Sequence, residues 1–349
     1  MRPLRALFVC DGSATVGGGH VMRSLTLARA LAARGWNSTF LADAFVGGVL
    51  DRFDRVGCER LPTADQTPDG LMAAAAGVSG FSAVIVDHFE MRATHERGFR
   101  RCAPLTAAVD DLPDRPRDVD LLIDCNQCRT SDDYAVLGAG VELLLGPAYA
   151  PVRLEFAAAR RATLARRGAP APMRRVLVAL GLTDVGGITE RVVRALLPHF
   201  GEASVDVVLG ETAPSADAMR RLAAADPRVR LHVNVRDMAA LTAEADLGVG
   251  AGGSSTWERA TLGLPTISLV LAPNQRPGTL ALAEAGAVFV LDADAEGFEE
   301  ALIAAFRRLR DDPQARGELS RRSAALCDGR GAERTADRLT ARVQSGARQ

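Results

Sequence analysis

Short, continuously apolar runs alternate with helical patterns from one end of this chain to the other, and that alternation limits its fold more than any other feature. The runs ALFVC (6–10), STFLAD (38–43), AVIVD (83–87), LTAAVDD (105–111), DLLIDC (120–125) and VELLLG (141–146) mark the first half. RRVLVALG (174–181), SVDVVLG (204–210), VRLHVN (229–234), DLGVGAG (246–252), PTISLVLA (265–272) and AVFVLD (287–292) mark the second. Apolar runs of this length, without strict alternation, are what strands covered on both faces of a parallel sheet show. Between the first two runs, Val21, Leu25, Leu27, Ala28 and Leu31 follow helical spacing, with Gly35 where a helix would end. Residues 295–344 read as helical with a break near CDGRG (327–331). Strand–helix alternation of this kind predicts an α/β chain with an open, doubly wound sheet in each half.

At roughly 150 residues per domain, 349 residues predict two domains. The expected boundaries are 1–155 and 174–349, two Rossmann-like domains with a cleft between them. Residues 156–173, arginine-rich and ending in Ala-Pro repeats, read as the linker. The charge is balanced, with 42 Lys plus Arg against 43 Asp plus Glu, which argues against a general nucleic-acid binder or a membrane-surface protein. The sequence contains no lysine, so every one of those cations is arginine. No apolar run approaches the roughly 18 residues of a membrane span, and the N-terminal run is too short for a signal peptide. The six cysteines are scattered, so a reduced, cytoplasmic protein is the expectation, without stable membrane insertion and with oligomeric state undetermined.

Two glycine-rich loops carry the candidate chemistry. In DGSATVGGGH (11–20), Gly17, Gly18 and Gly19 permit close ligand approach ahead of a helix start, a setting that suits phosphate. The alternative is a tight strand-to-helix turn. Asp43 is a weak candidate for a ribose carboxylate. His20 follows the glycines at the start of that helix. A positive helix end disfavours imidazolium, so His20 is expected to stay neutral and act as a general base. In GAGGSSTWER (250–259), Gly252, Gly253, Ser254, Ser255 and Thr256 offer N–H groups and hydroxyls for a diphosphate, and Glu258 a carboxylate for ribose hydroxyls. The alternative is an N-cap by Ser254 or Ser255, with Glu258 closing a capping box.

Asp87 and His88 end a strand at the same sheet edge, where they can orient a sugar or assist a base. Asn126, Asn274 and Gln275 end other strands with neutral amides that read sugar hydroxyls. Arg23, Arg153 and Arg259 can each pair with phosphate. Asp110 and Asp111 are adjacent on a strand and point to opposite faces, which favours structural roles over a metal. Cys125 and Cys128 have metal spacing but no second pair, so neither a metal nor a cofactor is expected.

Taken together, several segments resemble the hydrolase family of pseudaminic acid biosynthesis that acts on UDP-2,4-diacetamido-2,4,6-trideoxy-β-L-altropyranose. They are DGSATVGGGHVMRSLTLARAL (11–31), VDHFEMR (86–92), VDDLPDRPRDVDLLIDCN (109–126), LLGPAYAPVRLEF (144–156), GLTDVGG (181–187), ADLGVGAGGSSTWERATLGLP (245–265), NQ (274–275) and DGRGAER (328–334). They occur in the family's order and span nearly the whole chain. The resemblance implies the glycosyltransferase-B fold, a UDP-sugar substrate, water activation by His20, and nucleotide binding by residues 252–258. Four positions depart. Val9 stands where the family often has arginine, Phe89 where a tyrosine follows the Asp-His pair, and Leu182 and Gly187 replace a glycine and an asparagine.

The resulting expectation is hydrolysis of a UDP-linked sugar with inversion at C1. The alternatives are a glycosyltransferase of the same fold and a catalytically silent nucleotide-sugar binding protein.

Overall fold

A computed structural model describes residues 3–13, 16–113, 115–137 and 140–346. The chain forms two compact units, Met1–Pro151 with Arg330–Gln349 and Val152–Gly329.

The first unit runs β1 (Leu4–Cys10), α1 (Gly19–Ala32), β2 (Trp36–Ala42), α2 (Ala44–Phe53), β3 (Glu59–Pro62), α3 (Pro68–Ala75), β4 (Ala83–Asp87), α4 (Ala93–Phe99), β5 (Leu105–Val109), β6 (Leu121–Asp124) and β7 (Glu142–Leu145). Its sheet has the order β3-β2-β1-β4-β5-β6-β7 and every pairing is parallel. The chain winds outward from β1 to β3, returns beside β1 as β4, and winds out the other way. The β1–β4 junction is therefore the topological switch point, where the carboxyl ends of the strands leave a crevice. Leu7, Val9, Val84 and Val86 pack one face against Phe99 and Leu71, and Phe8 stacks on Phe40 at 4.7 Å.

The second unit runs α5 (Leu154–Arg167), β8 (Arg175–Ala179), α6 (Ile188–Leu196), β9 (Ser204–Leu209), α7 (Ala216–Ala225), β10 (Val229–Val233), α8 (Met238–Glu244), β11 (Leu247–Ala251), α9 (Ser255–Thr261), β12 (Thr266–Val270), α10 (Arg276–Glu284), β13 (Phe289–Asp292), α11 (Phe298–Asp311) and α12 (Pro313–Leu326). Its parallel sheet is ordered β10-β9-β8-β11-β12-β13, with the switch point between β8 and β11. Val176, Val178, Val205, Val207 and Val249 meet Phe298 and Phe306 in its core.

Each apolar run read from the sequence is a strand. The runs did not include β3, a four-residue edge strand, largely exposed, with no apolar signal to read.

The expected linker is corrected. Most of residues 156–173 belong to α5, inside the second unit. Its arginines look like solvated charge in the sequence but cap buried carbonyls. Arg167 donates to the carbonyls of Thr242, Ala245 and Leu262 at 2.7, 2.7 and 3.0 Å, and Arg160 to that of Ala324 at 2.8 Å.

The expected C-terminal boundary is also corrected, because α13 (Gly331–Gly346) belongs to the first unit. The physical reason lies in α1, whose residues are buried nearly all round. Such a helix needs a cover on its outer side, and α13 supplies it through Ala336 and Leu339, both fully buried. Trp36 Nε1 donates to Thr340 Oγ1 at 3.0 Å, and Arg34 Nε to Asp337 Oδ1 at 2.6 Å. Gly331 is required at the start of α13, since a Cβ there would lie 2.2 Å from the Ala150 carbonyl oxygen.

Leu339→Ala removes buried methyl groups from this seam. The expected outcome is a loss of about 2–5 kcal/mol, seen as a lower urea midpoint of the first unit.

Candidate functional site

In the first unit the site grows from the pairing of β1 with β4. Cys10 is in register with Asp87, and the Asp11 N–H donates to the Asp87 carbonyl at 2.8 Å, so the strand ends stay joined into the loops. The loop after β1 turns at Gly17 (φ +89°), whose N–H donates to the Ser13 carbonyl at 2.8 Å. Ala14 and Thr15 of that loop lie outside the described residues. Gly18 is the N-cap of α1 and Gly19 its first residue.

His20, Arg23 and Ser24 stand at i, i+3 and i+4 on α1 and all reach Asp87. Arg23 grips the carboxylate with two 2.6 Å hydrogen bonds, Nε to Oδ2 and Nη2 to Oδ1, and Ser24 Oγ lies 3.5 Å from Oδ2. His20 Nδ1 is 3.0 Å from Asp87 Oδ1 and 3.1 Å from the Asp87 carbonyl. Both are acceptors, so Nδ1 carries a proton, and in the neutral ring the lone pair is on Nε2. No described residue bonds to Nε2. The Phe89 ring meets His20 edge to face, with centroids 4.5 Å apart. Arg115 holds that ring's loop by donating to the Phe89 carbonyl and is itself anchored on Asp110 at 2.9 Å.

The expectation that a helix end keeps His20 neutral is corrected. Burial lowers its pKa, but the adjacent Asp87 carboxylate outweighs burial and the net shift is upward. A full charge 3.0 Å away exceeds the half charge of a helix terminus. Burial alone would raise the Asp87 pKa. Arg23 and then His20 prevail, and the carboxyl is held well below the usual carboxylate range.

Several first-unit candidates are placed differently from the sequence reading. Asp87 is fully buried, so it orients His20 and has no surface to offer a ligand. Arg23 is committed to Asp87 and Asp111, the latter at 3.0 Å, which leaves no fork for phosphate. His88 is buried and uses both ring nitrogens inside the loop, toward the Gln66 carbonyl at 2.7 Å and the Glu90 N–H at 3.1 Å. Asp43 caps α2 by accepting from the Val46 N–H at 2.9 Å. Asn126 is half-buried beside Asp124, whose Oδ1 accepts its N–H at 2.8 Å. The described residues contain no cluster that would hold a metal ion, and Asp110 and Asp111 pair with arginines instead.

In the second unit the corresponding place is the turn from β11 into α9. Gly252, Gly253, Ser254 and Ser255 are half-buried there. The N–H groups of Gly253, Ser254 and Ser255 have no partner among the described residues. Ser254 is the N-cap, but its side chain makes no capping bond, so the capping-box alternative does not form. Thr256 is buried, and its Oγ1 lies 3.2 Å from the Ala251 carbonyl. Glu258 and Arg153 meet in a two-pronged ion pair at 2.6 and 2.9 Å, which withdraws Arg153 from phosphate duty. Gln275 lies beside Gly253, its Oε1 accepting the Leu271 N–H at 3.1 Å, and Asn274 is half-buried next to it. Sequence reasoning missed the Phe89–His20 contact and the anchoring of Phe89 through Arg115, because neither follows from local spacing.

No known family model matches the chain. It is 28% identical over 188 residues to the spore coat polysaccharide biosynthesis protein SpsG of Bacillus subtilis, covering 53% of this chain and 54% of that protein. It is 22% identical over 284 residues to the uncharacterized protein MJ1062 of Methanocaldococcus jannaschii, covering 78% of this chain and 57% of that one. The chain thus spans little more than half the length of these relatives. Among solved structures it is similar to MurG of Acinetobacter baumannii, with TM-score 0.65, 16% identity, and coverage of 97% of this chain and 99% of that one. The UDP-GlcNAc 2-epimerase of Neisseria meningitidis bound to UDP-GlcNAc matches with TM-score 0.66, 12% identity, and coverage of 97% and 100%. These likenesses establish the fold, two parallel-sheet Rossmann-like units of the glycosyltransferase-B type. No helix among the described residues is long and apolar enough to cross a membrane.

Asp87→Asn leaves the Arg23 guanidinium without its main partner. At neutral pH the expected loss of stability is about 3–5 kcal/mol by urea denaturation. Because the Asp87 pKa is depressed on folding, its contribution is present above about pH 4 and fades below it, so variant and wild type converge in acid.

Proposed function

We propose that the chain hydrolyses a UDP-linked 2,4-diacetamido-2,4,6-trideoxy sugar to the free sugar and UDP, as a step of pseudaminic acid synthesis. The observation that carries this reading is the arrangement of His20. Its Nδ1–H is fixed on a buried carboxylate and its Nε2 is left to accept a proton. That is the arrangement a general base needs. Support for a nucleotide-sugar substrate comes from two sides. The fold is shared with an epimerase bound to UDP-GlcNAc, and a relative is named for polysaccharide biosynthesis. The sugar itself rests on the motif resemblance.

In this mechanism His20 Nε2 takes a proton from water as the water oxygen bonds to C1 of the sugar. The C1–O bond to the diphosphate breaks on the opposite face, and its electron pair leaves with UDP. The imidazolium then returns its proton to solvent. Asp87 acts as a positioning residue that holds the tautomer and stabilises the imidazolium. Gly17, Gly18 and Gly19 contribute loop backbone near the base. The turn Gly252–Gly253–Ser254–Ser255, with Thr256 behind it, supplies donors for the diphosphate, and Asn126, Asn274 and Gln275 supply amides for substrate hydroxyls. Charge developing on the diphosphate is met by these fixed donors.

Proton and phosphorus NMR with the UDP-linked sugar and no acceptor tests the reading. Wild type is expected to release free sugar and UDP, and His20→Asn to be slower by about 10²–10⁴-fold. Substrate that binds but is consumed only when an acceptor is added would replace hydrolysis by glycosyl transfer. Because the base must be neutral, kcat/KM should rise with pH and level off above an inflection higher than the ordinary histidine value of about 6.5. A flat profile between pH 5 and 9 would remove His20 from the role.

A further inference from the structure

Arg259, on α9, is only 5% exposed, yet no carboxylate among the described residues bonds to it. The neighbouring Glu258 has both oxygens occupied by Arg153. Nη2 of Arg259 donates to the Ala251 carbonyl at 2.7 Å and to Thr256 Oγ1 at 3.0 Å, and Nη1 donates to Ser255 Oγ at 2.9 Å. Its buried Nε has no partner among the described residues. Gly250 makes the space, since a Cβ there would lie 2.5 Å from Nη1.

Of the other buried arginines in this unit, Arg153 is paired with Glu258, while Arg316, like the half-buried Arg167, sits where the backbone offsets its charge. Arg167 caps carbonyls at the ends of α8 and α9, and Arg316 caps Leu309 and Arg310 at the end of α11. Helix C-termini carry partial negative charge. Arg259 does the reverse, because helical side chains lean toward the N-terminus and its guanidinium reaches back beneath the first residues of α9. A buried cation without a counter-charge is unfavourable. Burial lowers its pKa only to about 10, so the charge persists at neutral pH.

The groups above the guanidinium share one polarity. Arginine only donates, so Ser255 Oγ accepts from it and its own proton is free to point elsewhere. Beside that hydroxyl are the N–H groups of Gly253, Ser254 and Ser255, which have no partner among the described residues. The Gln275 side chain also faces Gly253, with its oxygen tied to Leu271 and its Nε2 left to donate.

We propose that Arg259 is a positioning residue for a diphosphate at the β11–α9 turn, supplying a counter-charge from below and turning the Ser255 hydroxyl into a donor. The nucleotide attached to that diphosphate rests on the function proposed above; the anion site itself does not.

Isothermal titration with inorganic pyrophosphate, UDP and uridine tests this on wild type, Arg259→Met, Arg259→Lys and Ser255→Ala. Arg259→Met should weaken pyrophosphate and UDP binding by about ten- to a hundredfold and leave uridine unchanged. Arg259→Lys should fall between, and Ser255→Ala should show a smaller loss confined to the same two ligands. Wild-type pyrophosphate affinity in a folded Arg259→Met would overturn the proposal, as would an equal loss for uridine, which marks a plain structural brace. If Arg259→Met does not fold, unchanged pyrophosphate affinity in both Arg259→Lys and Ser255→Ala overturns it. Wild type that binds pyrophosphate but not UDP ends the nucleotide reading and supports Arg259 if the variants lose pyrophosphate. UDP bound equally by wild type and Arg259→Met does the opposite, and wild type that binds neither overturns both.

Discussion

The carboxylate of Asp87 lies at the end of a central strand with no exposure to water. An ionised group in that position requires charged hydrogen-bond donors within reach, and their placement dictates much of the first unit. The donors come from one face of α1, with His20, Arg23 and Ser24 spaced to meet a single point. That requirement sets the rotation of α1 about its own axis. It also ties the start of the helix to the strand it crosses, 67 residues away in sequence. The side of α1 turned from the sheet must then be covered, and α13 returns from the far end of the chain to cover it. The same contact orients His20 and places a proton on its Nδ1, so the anchor of the fold and the orientation of that ring are one interaction.

The two units place opposite electrostatics at the same topological position. Each has a switch point beside its first strand, and each puts a glycine-rich loop and a helix start there. In the first unit the buried group is an anion, fully matched by a guanidinium, and the outcome is a proton acceptor of raised pKa. In the second the buried group is a cation that no described carboxylate bonds, the neighbouring Glu258 being held by Arg153, and it lies beneath N–H groups without partners among the described residues. A matched charge makes a rigid positioning device. An unmatched one leaves a local field of one sign, the feature that favours a charged ligand.

Strand positions were legible because burial on both sheet faces leaves a strong local signal, and AVIVD (83–87) coincides with β4 residue for residue. β3 was not legible, because an exposed edge strand has no apolar run to show. The reading of 156–173 as linker failed for a related reason. Arginine counts as polar by composition, yet Arg160, Arg166 and Arg167 end on carbonyls of neighbouring elements. At the site, residue types and loops were visible but commitments were not. Arg23, Arg153 and His88 are each capable of binding a substrate by chemistry. Each is instead held by a partner distant in sequence, at positions 87, 258 and 66. Pairwise commitments of this kind depend on the register of parallel strands, and local periodicity carries no trace of them.

The departures at Phe89 and Gly187 bear on packing and backbone more than on chemistry. Phe89 touches His20 through its ring edge, and Arg115 fixes it through its main-chain carbonyl. A phenylalanine meets both demands as well as a tyrosine does, so the wall beside His20 is kept without a hydroxyl. Gly187 has φ +68° at the start of α6, in the left-handed region. Glycine and asparagine are the residues that enter that region most readily, so the exchange of one for the other keeps the turn. The turn is further secured by Asp184, which is fully buried and accepts the N–H groups of Thr189 and Ser215 at 2.9 and 3.0 Å. The Asp87 anchor and the β1–α1 and β11–α9 turns therefore keep their geometry with these two residues in place.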